Sequence, residues 1–416
     1  MIARLRSTHL IIALALAASP LLAQGGRGAP RNPLAPYLKF DSTFVAITHV
    51  NVIDGTGAAP RADQTLVMRN GAITALGSSA STPVPPGAMT IDGTGKSVIP
   101  GLVMMHEHLF YSNGNSSYSY VGESFTRLYL AGVNFWADAG ATSFKAYMHI
   151  TRDELRAAAE EAHKRGLKIT GHLCSVTFRE AAELGIDNLE HAFFVSTDFF
   201  PNKQPDVCPG QGPGQQSVAN VDPNGEQVKS LIAFLVQKHV ALTSTLTVFE
   251  TFTPGHPLPP GLDVLDPILK DQFERGYQRI QTNATSVYTK LYPKETAMEL
   301  AFVRAGGLLI AGTDPTGGGG VIPGYSDQRQ IELLVEAGFT PLEAIRICTL
   351  NGATYMGRQN KIGSLAVGKQ ADVVLLTGDP AAKISDVRNV EIVFKQGIAF
   401  DPQKLIGSVK GRVGLY

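Results

Sequence analysis

The sequence predicts an α/β protein in which a barrel-type parallel sheet lies between two stretches of β structure. Strand-like runs alternate with amphipathic helices through the middle of the chain, short strand-and-turn patterns occupy both ends, and polar residues stand where the central strands finish. Strands alternating with helices are typical of parallel sheets with βα crossovers. With 416 residues, the chain is long enough for more than one domain.

The first 23 residues have the features of a signal peptide. Arg4 and Arg6 precede an apolar run from Leu10 to Ala18, and Leu21–Ala23 offers a small residue at a cleavage point. The apolar run is too short to span a bilayer comfortably. We expect an exported protein, periplasmic or secreted, with an uncleaved anchor as the alternative and no membrane contact after cleavage. Residues 24–39 are rich in Gly and Pro and predict a linker.

The two flanking β stretches are expected to form one composite β domain. Residues 40–98 contain four short strand patterns separated by turn residues, among them "DGTG" at 54–57 and at 92–95. Residues 361–416 repeat this style of strand and turn.

Residues 99–360 carry the alternating pattern. A helix is predicted over 151–166, with Thr151 as N-cap and Glu154 completing a capping box, and further helices over 176–185 and 340–357. Strands are predicted at 240–246 and 307–317. The Gly/Pro/Gln-rich residues 201–226 predict a long loop over one end.

Potential metal ligands stand at the ends of the predicted strands. The stretch "VIPGLVMMHEH" ends in His106 and His108, which project from one face of a strand, whereas Glu107 between them points away. In a βα barrel the functional groups lie at the carboxyl ends of the strands. Each residue alone has an ordinary structural interpretation, but six coincidences are hard to dismiss: His106, His108, Lys145, His172, His191 and Asp314.

Five motifs in order resemble the amidohydrolase superfamily, especially imidazolonepropionase-like and exported Xaa-Pro dipeptidase-like metal-dependent hydrolases. The motifs are "PGLVMMHEH", "TSFKAYM", "TGHL", "NLEHA" and "AGTDP", and the likeness extends from about residue 44 to about residue 406. H-x-H alone is a weak signal, but the ordered set is strong. The resemblance implies a (β/α)8 TIM barrel with a composite β-sandwich.

The resemblance also implies a binuclear centre of two divalent metal ions, for which zinc is expected. His106, His108 and Asp314 would hold one ion, His172 and His191 the other, and Lys145 would bridge them as a carbamate formed with carbon dioxide. Metal-activated hydroxide would attack a carbonyl, with Asp314 as the catalytic proton carrier. Tyr147 and His149 are candidates for substrate binding, with packing as the alternative.

One spacing departs from the family. A βα unit takes about 31 residues in an eight-unit barrel of about 250 residues, yet only 37 residues separate His108 from Lys145, which stand three units apart in the family. We therefore predict that about two βα units are missing near residues 128–140. We predict hydrolysis of an amide or other C–N bond, including dipeptides. The alternatives are an inactive truncated relative that binds metal or ligand, and a cyclic amidase or deaminase.

The amino-acid composition limits the classes of partner that we expect. The 36 Lys and Arg balance 36 Asp and Glu, so nothing favours nucleic acid, and a small amide or dipeptide is the expected partner, with a homo-oligomer possible. The three cysteines are not in C-x-x-C spacing. Cys174 and Cys348 lie in apolar segments and are expected to be small buried residues, with stability supplied by the core and not by disulfides.

Overall fold

The computed structural model describes residues 32–108, 133–134, 137–138, 140–315 and 319–414. The chain divides into two units, residues 1–36 and 37–416. Of the first unit only residues 32–36 are described, and a short 3-10 helix, Ala35–Tyr37, begins there. The signal-peptide prediction for residues 1–23 falls outside the described residues.

The described residues contain thirteen strands. They are β1 (Phe44–Val52), β2 (Arg61–Arg69), β3 (Ala72–Ser78), β4 (Met89–Asp92), β5 (Lys96–Pro100), β6 (Ser143–Ala146), β7 (Lys168–Gly171), β8 (Asn188–Glu190), β9 (Ala241–Ser244), β10 (Leu309–Ala311), β11 (Val373–Thr377), β12 (Val390–Lys395) and β13 (Ile398–Phe400).

The helices lie mostly between the central strands. They are α1 (Arg152–Lys164), α2 (Phe178–Glu183), α3 (Gln211–Asn220), α4 (Glu226–Gln237), α5 (Leu246–Glu250), α6 (Pro267–Gln281), α7 (Tyr288–Arg304), α8 (Tyr325–Glu336), α9 (Pro341–Arg346), α10 (Gly352–Tyr355) and α11 (Pro402–Val409). A π-helical turn, Ile347–Asn351, joins α9 to α10. Among the helices that the structure describes, none combines the length and the apolar character needed to cross a membrane.

Strands from both chain ends share one eight-stranded sheet. Its order is β13-β12-β11-β5-β1-β2-β3, with β4 beside β1. The two ends meet at β5, which pairs in parallel with β1 and antiparallel with β11. Val98 of β5 and Val373 and Leu375 of β11 are fully buried in the apolar core of this sheet. That the sheet folds into a sandwich stays a prediction.

The central strands form a five-stranded parallel sheet in the order β10-β9-β8-β7-β6. Helices connect successive strands, and their apolar residues join the larger core, where Leu155, Phe178, Leu235 and Phe302 are fully buried. The capping box of Thr151 and Glu154 is present at the start of α1. The predicted βα alternation is thus confirmed over residues 143–311.

The segment that carries His106 and His108 differs from the prediction. The strand ends at Pro100 and belongs to the eight-stranded sheet, while residues 101–108 are irregular. They nevertheless run beside β10, because the Met105 backbone N–H donates to the Ala311 carbonyl oxygen at 2.7 Å. The Thr313 N–H likewise donates to the His106 carbonyl oxygen at 3.0 Å. These bonds replace strand pairing and bring the histidine pair to the carboxyl end of β10.

The eight-strand barrel itself is not established. In the described part of the chain, β6 is one edge of the five-stranded sheet, and its Ser143 and Lys145 are exposed. The residues where two βα units are predicted to be missing, 128–140, lie largely outside the described residues. The shortening and the state of closure therefore stay predictions.

Two predictions for the region around residue 208 were wrong. The expected loop at 201–226 contains α3, whose Gln215 amide donates to the Tyr288 hydroxyl of α7 at 2.8 Å, so tertiary contacts support a helix that composition disfavours. Cys174 and Cys208, 34 residues apart, form a disulfide. The chain is therefore cross-linked as well as stabilised by its core, whereas Cys348 is free and buried as expected.

Candidate metal centre

The six predicted ligands lie at one end of the parallel sheet. Lys145 is in β6, His172 follows β7, His191 follows β8, and Asp314 lies three residues beyond β10. His106 and His108 join them through the backbone bonds to β10 and its following residues. The carboxyl ends of parallel strands meet at one edge, which explains why residues so distant in sequence converge.

His106, His108 and Asp314 form the tightest group. Asp314 Oδ1 lies 3.2 Å from His106 Nε2 and 3.0 Å from His108 Nε2. One candidate ligand atom from each residue lies within 4.8 Å of the others, a spacing that suits a single ion. His106 and Asp314 are buried, whereas the His108 side chain is 34% exposed at the open side of the group.

Lys145, His172 and His191 adjoin this group. Lys145 Nζ lies 3.2 Å from His106 Nε2, so the amine faces the same point as the ligand nitrogen. The His191 ring centroid lies 4.8 Å from that of His106 and 4.5 Å from that of His172. The structure therefore brings all six side chains together, and their role as ligands stays a prediction.

The chemistry of the donor set fits metal ions. His172 Nε2 is buried and has no hydrogen-bond partner among the described residues, as expected for a nitrogen that awaits a ligand. Burial lowers the pKa of His172 to about 4, helped by the charge of Lys145, and holds that of His191 well below its usual value. Both rings are neutral at pH 7, which is the form that coordinates metals.

His106 behaves differently because carboxylates flank it. Burial lowers its pKa, but hydrogen bonds with Asp314 and Glu190 outweigh that effect and raise the pKa to about 9. Burial raises the pKa of Asp314, but the hydrogen bond with His106 and the charge of that ring hold the pKa below its usual value. The two carboxylates thus favour positive charge at this point, which either a proton or a metal ion can supply.

Glu190 is a functional candidate that the sequence did not reveal. Its carboxylate is 3% exposed, contacts His106 Nδ1 and accepts a hydrogen bond from Thr170 Oγ1 at 2.5 Å. This contact turns His106 Nε2 toward Asp314 and Lys145, in the way that carboxylates orient metal-binding histidines. Strict strand alternation would put Glu190 and His191 on opposite faces, but β8 ends at Glu190 and His191 is left-handed, with φ 64°.

The other predicted residues are more peripheral. Tyr147 is 59% exposed and meets His172 edge-on, with ring centroids 5.1 Å apart. Partial burial and the charge of Asp314 raise the pKa of Tyr147. His149 lies in the exposed turn after β6, and no described contact joins it to the six ligands. Glu107 accepts hydrogen bonds from the Thr313 N–H at 2.9 Å and hydroxyl at 2.7 Å, away from the ligands as expected.

Comparison with known proteins finds similarity to the family that the motifs resemble. Residues 293–399 match the sequence profile described as "Amidohydrolase family". The amidohydrolase resemblance is confirmed. Among curated relatives, an imidazolonepropionase from Parabacteroides distasonis is 57% identical over 37 residues, which is 9% of this chain and 9% of that protein. Because the aligned part is so short, activity and substrate do not carry over from that relative.

Solved amidohydrolase structures share the fold over most of the chain. Bottromycin amidohydrolase superposes with a TM-score of 0.64 at 16% identity and covers 92% of this chain and 94% of its own. A Xaa-Pro dipeptidase with methionine bound in its active site superposes with a TM-score of 0.60 at 14% identity, covering 86% of this chain and 100% of its own. At these identities the likeness establishes an amidohydrolase-like α/β fold, in agreement with the parallel sheet described above.

Proposed function

We propose that this protein is an exported, metal-dependent amidohydrolase that hydrolyses the C–N bond of small amides or dipeptides. The observation that carries the proposal is the meeting of four histidines, a lysine and an aspartate at one end of the parallel sheet. The family resemblance supports the same reaction class.

The donor set suits two divalent ions. His106, His108 and Asp314 would hold one ion, His172 and His191 the other, and Lys145 would lie between them. Bound ions would lower the pKa of a water molecule and polarise the substrate carbonyl. Imidazole and carboxylate donors suit zinc, which we take as the expected metal.

Asp314 is the proposed proton carrier. Its lowered pKa keeps it ionised at neutral pH, so that it can accept a proton from the attacking water. Asp314 is buried beside His106 and His108, where a proton can be held and then passed to the leaving nitrogen.

Lys145 is the proposed bridge. Its amine would add to carbon dioxide and lose a proton, and the resulting carbamate would supply two oxygens and one negative charge. Lys145 Nζ lies in the group of imidazoles, 3.2 Å from His106 Nε2, where a negative charge complements bound cations. An unmodified ammonium has no lone pair to offer there.

The proposed location outside the cytoplasm has one structural support. Disulfides persist in oxidising compartments and are rare in the cytosol, and Cys174–Cys208 is such a bond. The expected substrates are N-acyl amino acids, including carboxy-terminal dipeptides. They would enter the site from the side on which the His108 side chain is exposed.

A second candidate function is metal or ligand binding without catalysis. The exposure of Ser143 and Lys145 on edge strand β6 favours it, because Lys145 then lacks the enclosed setting that a carbamate bridge needs. In this case the chain would be an exported binding protein.

Metal analysis combined with an amidase and dipeptidase panel tests the proposal. We expect two ions per purified chain and measurable hydrolysis, with both reduced by Lys145→Ala. Lys164→Ala, which removes an exposed lysine at the end of α1, is the matched control and should change neither. Tightly bound ions without hydrolysis would favour the binding protein, and folded protein with neither would contradict both the enzyme and a metal-binding protein.

A further inference from the structure

Two fully buried glutamates lie behind His191, on α7. Glu295 and Glu299 are one helical turn apart, and each is 0% exposed. Glu295 Oε1 accepts a hydrogen bond from the Phe193 backbone N–H at 2.9 Å, and Glu299 Oε2 accepts one from the Ser244 hydroxyl at 2.8 Å. One helix face therefore holds both the turn after β8 and the end of β9.

Burial favours the neutral form of both carboxyls. Burial raises the pKa of Glu299 to about 8 and that of Glu295 well above its usual value, where the neighbouring Glu299 adds to the effect. No described cation pairs with either group, and one oxygen of each lacks a hydrogen-bond partner among the described residues. Such burial costs free energy that a leucine would not, so the single contacts that these acids make must compensate for it.

The turn held by Glu295 is strained. His191 has φ 64° and Ala192 has φ 44°, a left-handed conformation that residues other than glycine seldom adopt. The Phe193 N–H bound by Glu295 is the first amide after these two residues. Conformations of this kind persist only where surrounding contacts fix them, and here they set the direction in which the His191 ring points.

Residues at the end of β9 also hold the His191 ring. Thr245 Oγ1 lies 2.9 Å from His191 Nδ1, which leaves Nε2 of that ring for a metal ion. Ser244, its neighbour in the chain, donates to Glu299 and accepts from the Gln330 amide at 2.9 Å. Glu299 therefore holds the backbone from which the Thr245 hydroxyl reaches the histidine.

We propose that Glu295 and Glu299 are positioning residues that hold His191 in the geometry of a metal ligand, Glu295 through the strained turn and Glu299 through Ser244 and Thr245. The inference rests on the proposed function in one respect, that His191 is a ligand. Helix α7, which lies outside the metal centre, would then contribute to the binding affinity of one of the two ions.

The test compares Glu295→Leu, which removes the acceptor, with Glu295→Gln, which retains an acceptor oxygen for the Phe193 N–H. Cobalt titration of the metal-free full-length chain, followed by visible absorption, gives a dissociation constant for each ion. We expect Glu295→Leu to weaken one ion about 10–100-fold, the usual effect of removing a partner behind a metal ligand. Glu295→Gln should stay within about threefold of wild type because the contact survives.

Glu332→Gln is the control for loss of a buried carboxylate. Glu332 lies on α8, pairs with Arg388 and Arg329, and has no described contact with the proposed ligands. It should lower thermal stability without changing either dissociation constant. Unchanged cobalt binding by folded Glu295→Leu would overturn the inference.

If Glu295→Leu does not fold, Thr245→Val and Glu299→Leu, which removes the acceptor of the Ser244 hydroxyl, decide the matter. Thr245→Val removes only the hydroxyl that faces His191 Nδ1, and it should weaken the same ion about tenfold. Wild-type affinity in both variants would refute the role of α7. A wild-type chain that binds no cobalt would overturn the proposed function and this inference together, whereas two ions bound with wild-type dissociation constants in every variant would overturn this inference alone.

Discussion

Removing the Cys174–Cys208 disulfide should destabilise the protein by about 4 kcal/mol at 25 °C. The bond closes a loop of 34 residues, and loop-closure entropy for that length gives this value. The folded state should change little, because other contacts hold the same segment. The Lys203 ammonium donates to the Ser175 carbonyl oxygen at 2.6 Å, and the Thr197 hydroxyl donates to the Cys174 carbonyl oxygen at 3.1 Å. The loss should therefore arise mainly in the unfolded ensemble.

The assay is urea unfolding of wild type and of the double variant Cys174→Ala/Cys208→Ala, followed by far-UV circular dichroism. Cys348→Ala is the matched control, because it removes a buried free thiol and closes no loop. Its cost should be about 1 kcal/mol, as for other small core truncations. A double variant that is no less stable than this control, or a wild type unaffected by reductant, would refute the loop-entropy reasoning.

Two further predictions concern single contacts. Glu190→Gln should weaken the ion at His106 by about tenfold, since the carboxylate that faces Nδ1 loses its charge; an unchanged dissociation constant in the cobalt titration would contradict this. Arg304→Ala should remove a pH-dependent contribution to the free energy of unfolding. The Arg304 guanidinium holds the pKa of Glu343 at about 2, below its usual 4.5. That contribution is under about 1 kcal/mol for a half-exposed pair. It is present above pH 4.5 and declines as the pH falls toward 2, because Glu343 then becomes protonated. Urea midpoints of wild type and variant should therefore converge between these pH values, and a constant difference would show that the pair contributes nothing through Glu343.

The positions of the candidate ligands were the most predictable part of the molecule. His172, His191 and Asp314 each follow a strand of the parallel sheet, and such a sheet brings these positions to one edge whatever the loops between them do. The capping box at Thr151 was equally predictable, because its two hydrogen bonds join residues three apart in the chain.

What the sequence did not reveal depends on contacts between distant residues. Glu190 and His191 both lie beside His106 because the chain turns left-handed immediately after β8, and alternation gives no warning of that. The pairing of Cys174 with Cys208 joins residues without a recognisable spacing motif. The irregular path of residues 101–108 follows from bonds to β10, about 200 residues later, and not from any local preference.

The position of β5 in the eight-stranded sheet has a consequence for biosynthesis. β5 ends at Pro100, but its partner β11 begins at Val373, about 270 residues later. At ribosomal rates of about 5–20 residues per second, roughly 14–55 s separate the synthesis of these two strands. Throughout that interval the Val98 edge of the nascent sheet lacks its neighbour, so a chaperone that shields it, or export before folding, would suit this chain.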